Sequence, residues 1–240
     1  MKKIVVKTLL ALGLGVTLSG QVLAETYQPA RFGADILGYL QAAVAPPELT
    51  QARPVLAVYC QAEVGTDGLA RNLSCYDKED MDELRVQVEQ ALAGQEFVPA
   101  RVDGETVPVR MTFRVVYSNL EGQPPLMLLP NLGHMQGELG HQYSAPQERL
   151  DERNWYSLYR RNDWSEGQPF FGGVGRTTQV MAIVNEEGRV PSAHRIKTHG
   201  RHKRDATEVA KALRTSRFIP GMANGEPKRM RYFAVLHYQE

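Results

Sequence analysis

One stretch occurs twice in this chain of 240 residues, and its recurrence constrains the fold more than any other feature. Residues 97–117 read FVPARVDGETVPVRMTFRVVY, and residues 218–238 read FIPGMANGEPKRMRYFAVLHY. Each copy has Phe-x-Pro, four further residues, a Gly, and then a long run with apolar side chains at alternate positions. The offset of 121 residues between Phe97 and Phe218 predicts two small folding units related by duplication.

Each copy predicts a turn followed by a half-buried strand. Asp103-Gly104 and Asn224-Gly225 are strong turn dipeptides, because Gly tolerates positive φ and Asx side chains bond their own backbone. In residues 107–117 the apolar side chains alternate with Arg110, Thr112 and Arg114. This period of two indicates a strand with one buried face.

Residues 55–75 predict a β-hairpin with a two-residue turn at Asp67-Gly68. If the turn is centred between these two residues, facing residues have numbers that sum to 135, and Cys60 then faces Cys75. In an oxidising compartment we expect a disulfide, worth about 3 kcal/mol in the chain-entropy model. Two packed free thiols are the alternative.

Helical periodicity appears at three places. Residues 32–43 carry a short apolar stripe, residues 78–94 a longer one, and the third begins at Ala206. The last two each follow a predicted hairpin and precede Phe-x-Pro, with the second hairpin spanning residues 180–196. We therefore predict an α+β fold of two small two-layer domains, each a β-hairpin, a helix and a strand.

The predicted organisation is a signal peptide (1–24), a first domain (25–117), a connecting segment (118–178) and a second domain (179–240). The connecting segment is rich in aromatic residues, which we expect to pack between the two domains. Its aromatic side chains are Trp155, Tyr156, Tyr159, Trp164, Phe170 and Phe171.

The N-terminus has the three parts of a secretory signal: a basic start, a short apolar stretch and small residues up to Ala24. Its removal leaves 25 basic and 27 acidic residues, a net charge of −2. This balance lacks the basic excess of a nucleic-acid-binding protein. We expect a periplasmic protein, and an uncleaved membrane anchor is the alternative.

The repeated pattern resembles the TonB C-terminal domain family. In that family a hairpin with a central Gly precedes a helix, an aromatic-x-Pro-Ala segment, a Gly turn and a final strand. The matching residues are Gly68, Phe97-Val98-Pro99-Ala100-Arg101 and Gly104 in the first copy, and Gly188, Arg217-Phe218-Ile219-Pro220 and Gly225 in the second. Gly221 stands where the family prefers Ala.

The resemblance implies a non-enzymatic module that binds envelope proteins by pairing its last strand with an extended peptide. No long Pro-rich spacer is present, which favours an accessory protein of energy-dependent outer-membrane transport over an energy transducer. Exposed strand edges would bind periplasmic or outer-membrane proteins, and a homodimer is compatible with them. The predicted partner-binding residues are Arg110, Met111, Thr112, Phe113, Arg229, Met230, Arg231 and Tyr232.

Other chemistry has weaker support in the sequence, and we expect no catalytic residue, metal or cofactor. His199 and His202 are three residues apart, but the positive charge around them disfavours a cation site. The basic loop Arg195–Arg204 could contact an anionic surface or remain solvated. The alternative function is a cell-envelope hydrolase with its site in the connecting segment, built from His134, Glu138 and His141.

Overall fold

The computed structural model describes residues 25–76, 81–130, 143–162, 164–169, 177–198 and 202–238. It is a mixed α+β structure, as predicted, in which every strand pair is antiparallel. No helix in these ranges is long and apolar enough to cross a membrane. The predicted signal peptide lies outside the described residues.

The described part of the first unit contains nine strands and two helices. They are β1 (Tyr27–Gln28), β2 (Arg31–Phe32), α1 (Ile36–Ala43), β3 (Val55–Val64), β4 (Ala70–Tyr76), α2 (Asp82–Leu92), β5 (Phe97–Val98), β6 (Ala100–Val102), β7 (Glu105–Val107), β8 (Val109–Ser118) and β9 (Leu126–Pro130).

The second unit also has nine described strands and two described helices. They are β10 (Tyr143–Ser144), β11 (Gln147–Arg149), α3 (Trp155–Tyr159), β12 (Gln168–Pro169), β13 (Thr177–Val184), β14 (Ser192–Lys197), α4 (Lys203–Thr215), β15 (Phe218–Ile219), β16 (Gly221–Ala223), β17 (Glu226–Lys228) and β18 (Met230–His237).

The repeated unit is larger than the sequence predicted. Apart from β9 and β12, the two units have the same order of elements. β10 pairs with β16 as β1 pairs with β6, and β11 pairs with β15 as β2 pairs with β5. The stretch 118–178 is therefore not a separate connector: β9 completes the first sheet, and β10, β11 and α3 belong to the second unit.

The two largest sheets each pack one face against helices. The first has the order β15-β11-β8-β3-β4, with β9 also paired to β8, and the second has the order β12-β18-β13-β14. Alternate residues of β3 and β8 form the first core together with α1 and α2. The second core lies between β13, β18 and α4, and Trp155 and Tyr159 of α3 are buried in it. Most of the described aromatic mass of the predicted connector thus belongs to this core.

The units interlock through β11, which pairs with β8 of the first unit on one side and β15 of the second on the other. Ile219 of β15 is part of the first core. The side chain of Gln147 accepts a hydrogen bond from the backbone N–H of Ala30 and donates one to its carbonyl, both at 2.8 Å. The first sheet therefore includes strands from both units.

The predicted disulfide between Cys60 and Cys75 is present, and the two residues face each other on β3 and β4. The turn differs from the prediction, because Val64 faces Ala70 and the loop between them has five residues rather than two. A bulge at Asn72, whose φ is 47°, adds one residue to β4 before the cysteine pair. Two departures from the predicted hairpin therefore cancel at the cysteines.

Candidate functional site

The structure places the first set of predicted partner-binding residues inside the sheet. Arg110, Met111, Thr112 and Phe113 are all buried on β8. This strand pairs with β3 along its whole length, with β11 at its first two residues and with β9 over its second half. The prediction that this strand offers a free edge is wrong, because strands from beyond the predicted domain cover it.

The second set lies on or just before β18, and only Arg229 is exposed. Met230 and Tyr232 are buried in two apolar clusters, whereas Arg231 is half-buried. β18 pairs with β13 along its whole length and with β12 at Leu236 and His237. Met230 and Tyr232 are core residues, so the prediction that they contact a partner is wrong.

Arg110 instead joins the two units through a buried ion-pair cluster. Its guanidinium pairs with Glu148 of β11 and, at 2.9 Å, with Glu63 of β3. It also lies over the rings of Trp155 and Tyr156, at 5.9 and 5.7 Å from their centroids. The Trp155 backbone N–H donates to Glu148 at 2.8 Å. This cluster is enclosed and structural rather than open to a ligand.

Burial raises the pKa of Glu148 to about 7, and Arg110 offsets this effect only in part. The physical cause is that a carboxylate loses its hydration in the interior. Glu63, the second carboxylate beside Arg110, raises the pKa further. Glu148 therefore titrates near neutral pH at the contact between the units.

One open feature of the first unit is a groove of about 870 Å³ on the face of its sheet that points away from the core. Leu37 of α1 and the β8–β9 turn form its rim. The sheet residues that line it and point away from the core are Val55, Ala57 and Tyr59 of β3, Arg114 and Val116 of β8, and Met127 and Leu129 of β9.

The local sequence explains why this face is apolar. In the first half of β3 the residues between the core positions are Val55, Ala57 and Tyr59, and in β9 they are Met127 and Leu129. An antiparallel sheet with one solvated face normally carries polar side chains there. An apolar groove of this volume is within the range of ligand-binding clefts and indicates a surface that another molecule covers.

Arg114 is the charged side chain in the groove lining. It faces Tyr59 on one side and Leu129 on the other. Its Nε and Nη2 atoms are buried and have no hydrogen-bond partner in the described part of the chain. These two nitrogens form one edge of the guanidinium, which matches the two oxygens of a carboxylate. The groove therefore favours acidic ligands over basic ones.

Strand β9 is an edge of the first sheet beside this groove. Among the described residues it pairs only with β8, and its sequence LMLLP has no charge. Three other sheet edges differ from it. β14 presents His194, Arg195 and Lys197, and β4 is bulged at Asn72. Among the described residues the outer edge of β18 pairs with β12 only at Leu236 and His237, but its open part carries Arg231. β9, which has no charge, is thus the edge best suited to pair with an added strand.

The second unit contains a buried polar cluster around Asp205, at the start of α4. Tyr159 and Tyr238 both donate their hydroxyl hydrogen bonds to this carboxylate, and His202 stacks on Tyr238 at 3.6 Å. Burial raises the pKa of Tyr159 to about 12, so its hydroxyl remains a donor. The cluster joins α3, α4 and the end of β18.

No group of three or more potential metal ligands occurs in the residues that the structure describes. His202 lies in the polar cluster beside Asp205, whereas His199 lies outside the described residues. The triad considered for a hydrolase, His134, Glu138 and His141, also lies outside them. Within the described part of the predicted connector, the aromatic residues of α3 fill a core rather than line a cleft.

Sequence reasoning missed the groove, although its signal was present. Residues 55–60 are apolar or aromatic at every position, which is the pattern of a strand buried on both faces. The prolines around the run LMLLP exclude a helix there, but they leave an edge strand possible.

No family model, curated protein or solved structure matches this chain.

Proposed function

We propose that this chain is a non-enzymatic binding protein of the cell envelope that takes an extended segment of another protein at β9, over the groove. The observation that carries the proposal is the apolar face of the first sheet beside an uncharged strand that has one described partner. The resemblance to the TonB C-terminal domain family supports the same kind of activity, although at a different strand from the one expected.

The physical basis is strand addition. An edge strand has unpaired N–H and C=O groups, and an added strand satisfies them while its alternate side chains enter pockets on the sheet face. Here the groove would receive apolar side chains beside Met127 and Leu129, and Arg114 would favour a carboxylate at one position. The bound segment would be extended, apolar at alternate positions and acidic rather than basic.

The disulfide supports an oxidising compartment such as the periplasm. The signal-like N-terminus agrees with secretion into that compartment. A role accessory to energy-dependent outer-membrane transport is part of this proposal, with outer-membrane or periplasmic proteins as the source of the bound segment.

Selection from a phage-displayed library of random dodecapeptides tests the proposal without assuming the sequence of the bound segment. On the oxidised chain, residues 25–240, we expect enrichment of peptides with apolar residues at alternate positions and no Pro between them. A synthetic copy of the best peptide should lose most of its affinity when N-methylated at alternate residues in one register, and keep it in the other, because only one set of N–H groups faces β9.

Met127→Lys places a charge in the groove and should abolish the enrichment. Val86→Lys is the matched control, because Val86 is an exposed apolar residue of α2 outside the groove. Equal enrichment on both variants, or none on the unchanged chain, would contradict the proposal.

A further inference from the structure

The basic residues of this chain are concentrated in one part of the second unit. Residues 189–217 contain nine of the 28 Lys and Arg residues but only two of the 27 Asp and Glu residues. The two acids do little to neutralise the positive charge at the surface, because Asp205 is buried and Glu208 pairs with Lys211 at 2.9 Å. This segment is therefore strongly cationic in a chain that is otherwise acidic.

The structure gathers this charge where β14 ends and α4 begins. Arg195, Lys197, Lys203 and Arg204 are all exposed, and α4 packs against β14. Arg204 lies over the ring of Trp164, at 4.3 Å from the centroid. Arg195, Lys197 and Lys203 form no ion pair with any described residue. We call these four side chains the basic patch.

Apart from Arg204, which lies over Trp164, the cations of the basic patch do not serve the stability of the fold. Lys203 and Arg204 occupy the first turn of α4, where the helix dipole disfavours positive charge. The acidic residue of that turn, Asp205, is already occupied by two tyrosine hydroxyls. Cations placed against the dipole and without partners are expected where they bind an external anion.

Ile196 distinguishes between the possible anions. It is the additional residue where the register of β14 with β13 shifts, lies between Arg195 and Lys197 on this edge strand, is 51% exposed, and is the most exposed large apolar residue among those described. A nucleic acid, or a purely acidic peptide such as polyglutamate, gives an isolated isoleucine no apolar environment. A phospholipid bilayer does, because cations contact its phosphates while an apolar side chain enters the acyl boundary.

We propose that the basic patch and Ile196 bind the chain peripherally to an anionic phospholipid bilayer. Arg195, Lys197, Lys203 and Arg204 contact headgroup phosphates, and Ile196 inserts between the headgroups. This contact is on the second unit, whereas the groove is on the first. The protein can therefore hold the groove beside a membrane while an envelope protein occupies it.

Flotation with vesicles tests this contact. The oxidised chain, residues 25–240, is mixed with vesicles of phosphatidylcholine alone, or with 30% phosphatidylglycerol, at low and physiological salt. We expect flotation with the anionic vesicles only, and a clear loss as salt rises, because phosphate contacts by exposed cations are screened.

The double variant Arg195→Gln, Lys197→Gln should lower the partition coefficient about 25-fold, since each cation near an anionic surface contributes about fivefold. Ile196→Ser should weaken binding several-fold and leave the salt dependence unchanged. The double variant Arg31→Gln, Arg101→Gln is the matched control, because it removes two exposed cations from the first unit. Thermal unfolding and the intact disulfide confirm that each variant is folded.

Three results would overturn the proposal. They are equal flotation with neutral and anionic vesicles, no flotation at low salt, and unchanged flotation of the double variant. Binding to polyglutamate without binding to vesicles would assign the basic patch to acidic proteins instead. None of these results depends on whether peptides bind the groove.

Discussion

Two glycines show, at the scale of single residues, why the hairpin turn has the same form in both units. Gly68 and Gly188 have φ of 78° and 67°. Their carbonyls accept hydrogen bonds from the N–H groups of Phe97 and Phe218, at 2.8 and 3.0 Å. A Cβ at either glycine would collide with the carbonyl oxygen of the same Phe. Each turn is thus locked against the Phe-x-Pro segment.

Gly188→Ala should therefore be severely destabilising. A left-handed φ costs an alanine about 1–2 kcal/mol, and the collision with the Phe218 carbonyl adds about 1–3 kcal/mol. Urea unfolding followed by Trp fluorescence measures the loss, because both Trp residues are in the second unit.

Gly225→Ala is the control for the backbone conformation alone. Gly225 has φ of 82°, but no atom of the described residues lies within 4 Å of the position of its Cβ. We expect it to cost only about 1–2 kcal/mol. If the two variants lose the same stability, the contact with Phe218 is not what requires glycine at 188.

At the scale of single residues, the sequence showed which residues form turns, but not always which kind of turn they form or why. Asp103-Gly104 and Asn224-Gly225 form two-residue turns with φ above zero at both positions, as their composition predicts. Asp67-Gly68 has the same composition but lies in a five-residue loop. The difference arises because Gly68 also bonds Phe97, a contact between residues far apart in the chain.

The bulge in β4 shows how one residue affects a whole element. Without the additional residue at Asn72, the hairpin would place Cys60 opposite Ser74 rather than Cys75. The bulge needs a residue that accepts positive φ, and Asn does so more readily than most. The disulfide register of β3 and β4 therefore depends on this position.

Asn72→Val should destabilise the first unit by about 1–2 kcal/mol more than Asn72→Gly. Both variants lose the hydrogen bond from the Asn72 amide to Glu63, so this loss cancels in the comparison. A β-branched residue resists positive φ, whereas Gly accepts it. Urea unfolding of the two oxidised variants gives the difference, and equal stabilities would mean that the conformation of residue 72 does not limit the hairpin.

The helices and long strands were predictable because their periodicity is local. The short strands β10, β11 and β12 were not, because two or three residues carry no periodic signal. β10 and β11 pair with strands of the second copy that lie 70 or more residues further along the chain. β11 also pairs with β8. The residues between the two repeats were for this reason assigned to a connector.

Across the whole molecule, the contact between the units depends on a titrating carboxyl. Arg110, Glu63 and Tyr232 surround Glu148 at the point where β11 crosses from one unit to the other. The folded pKa of Glu148 is about 7, above its ordinary 4.5. Between these values the folded state holds a proton that the unfolded state has lost, so this contribution to stability falls as pH rises.

We expect the free energy of unfolding of the unchanged chain to fall, relative to Glu148→Gln, by roughly 2–3 kcal/mol between pH 4.5 and pH 8. Glutamine does not titrate, and its single amide oxygen can accept from Arg110 or from the Trp155 N–H, so the loss of the other hydrogen bond is the same at every pH. Urea unfolding of both proteins at several pH values measures the difference in their free energies of unfolding. The contributions of the other titrating groups are the same in both proteins and cancel in this difference. A difference that is constant, or that grows in the opposite direction, would contradict the buried position of Glu148.

The sequence by itself determined the duplication, the α+β class, the main hairpins and helices, and the pairing of Cys60 with Cys75. These features depend on periodicity, on turn residues and on contacts between near neighbours. Only the tertiary structure decided which strand edges are covered, because β9 and β11 reach β8 from outside the predicted domain. The predicted binding edge of the first copy, β8, therefore lies in the interior of a sheet, and the open surface is the face beside β9.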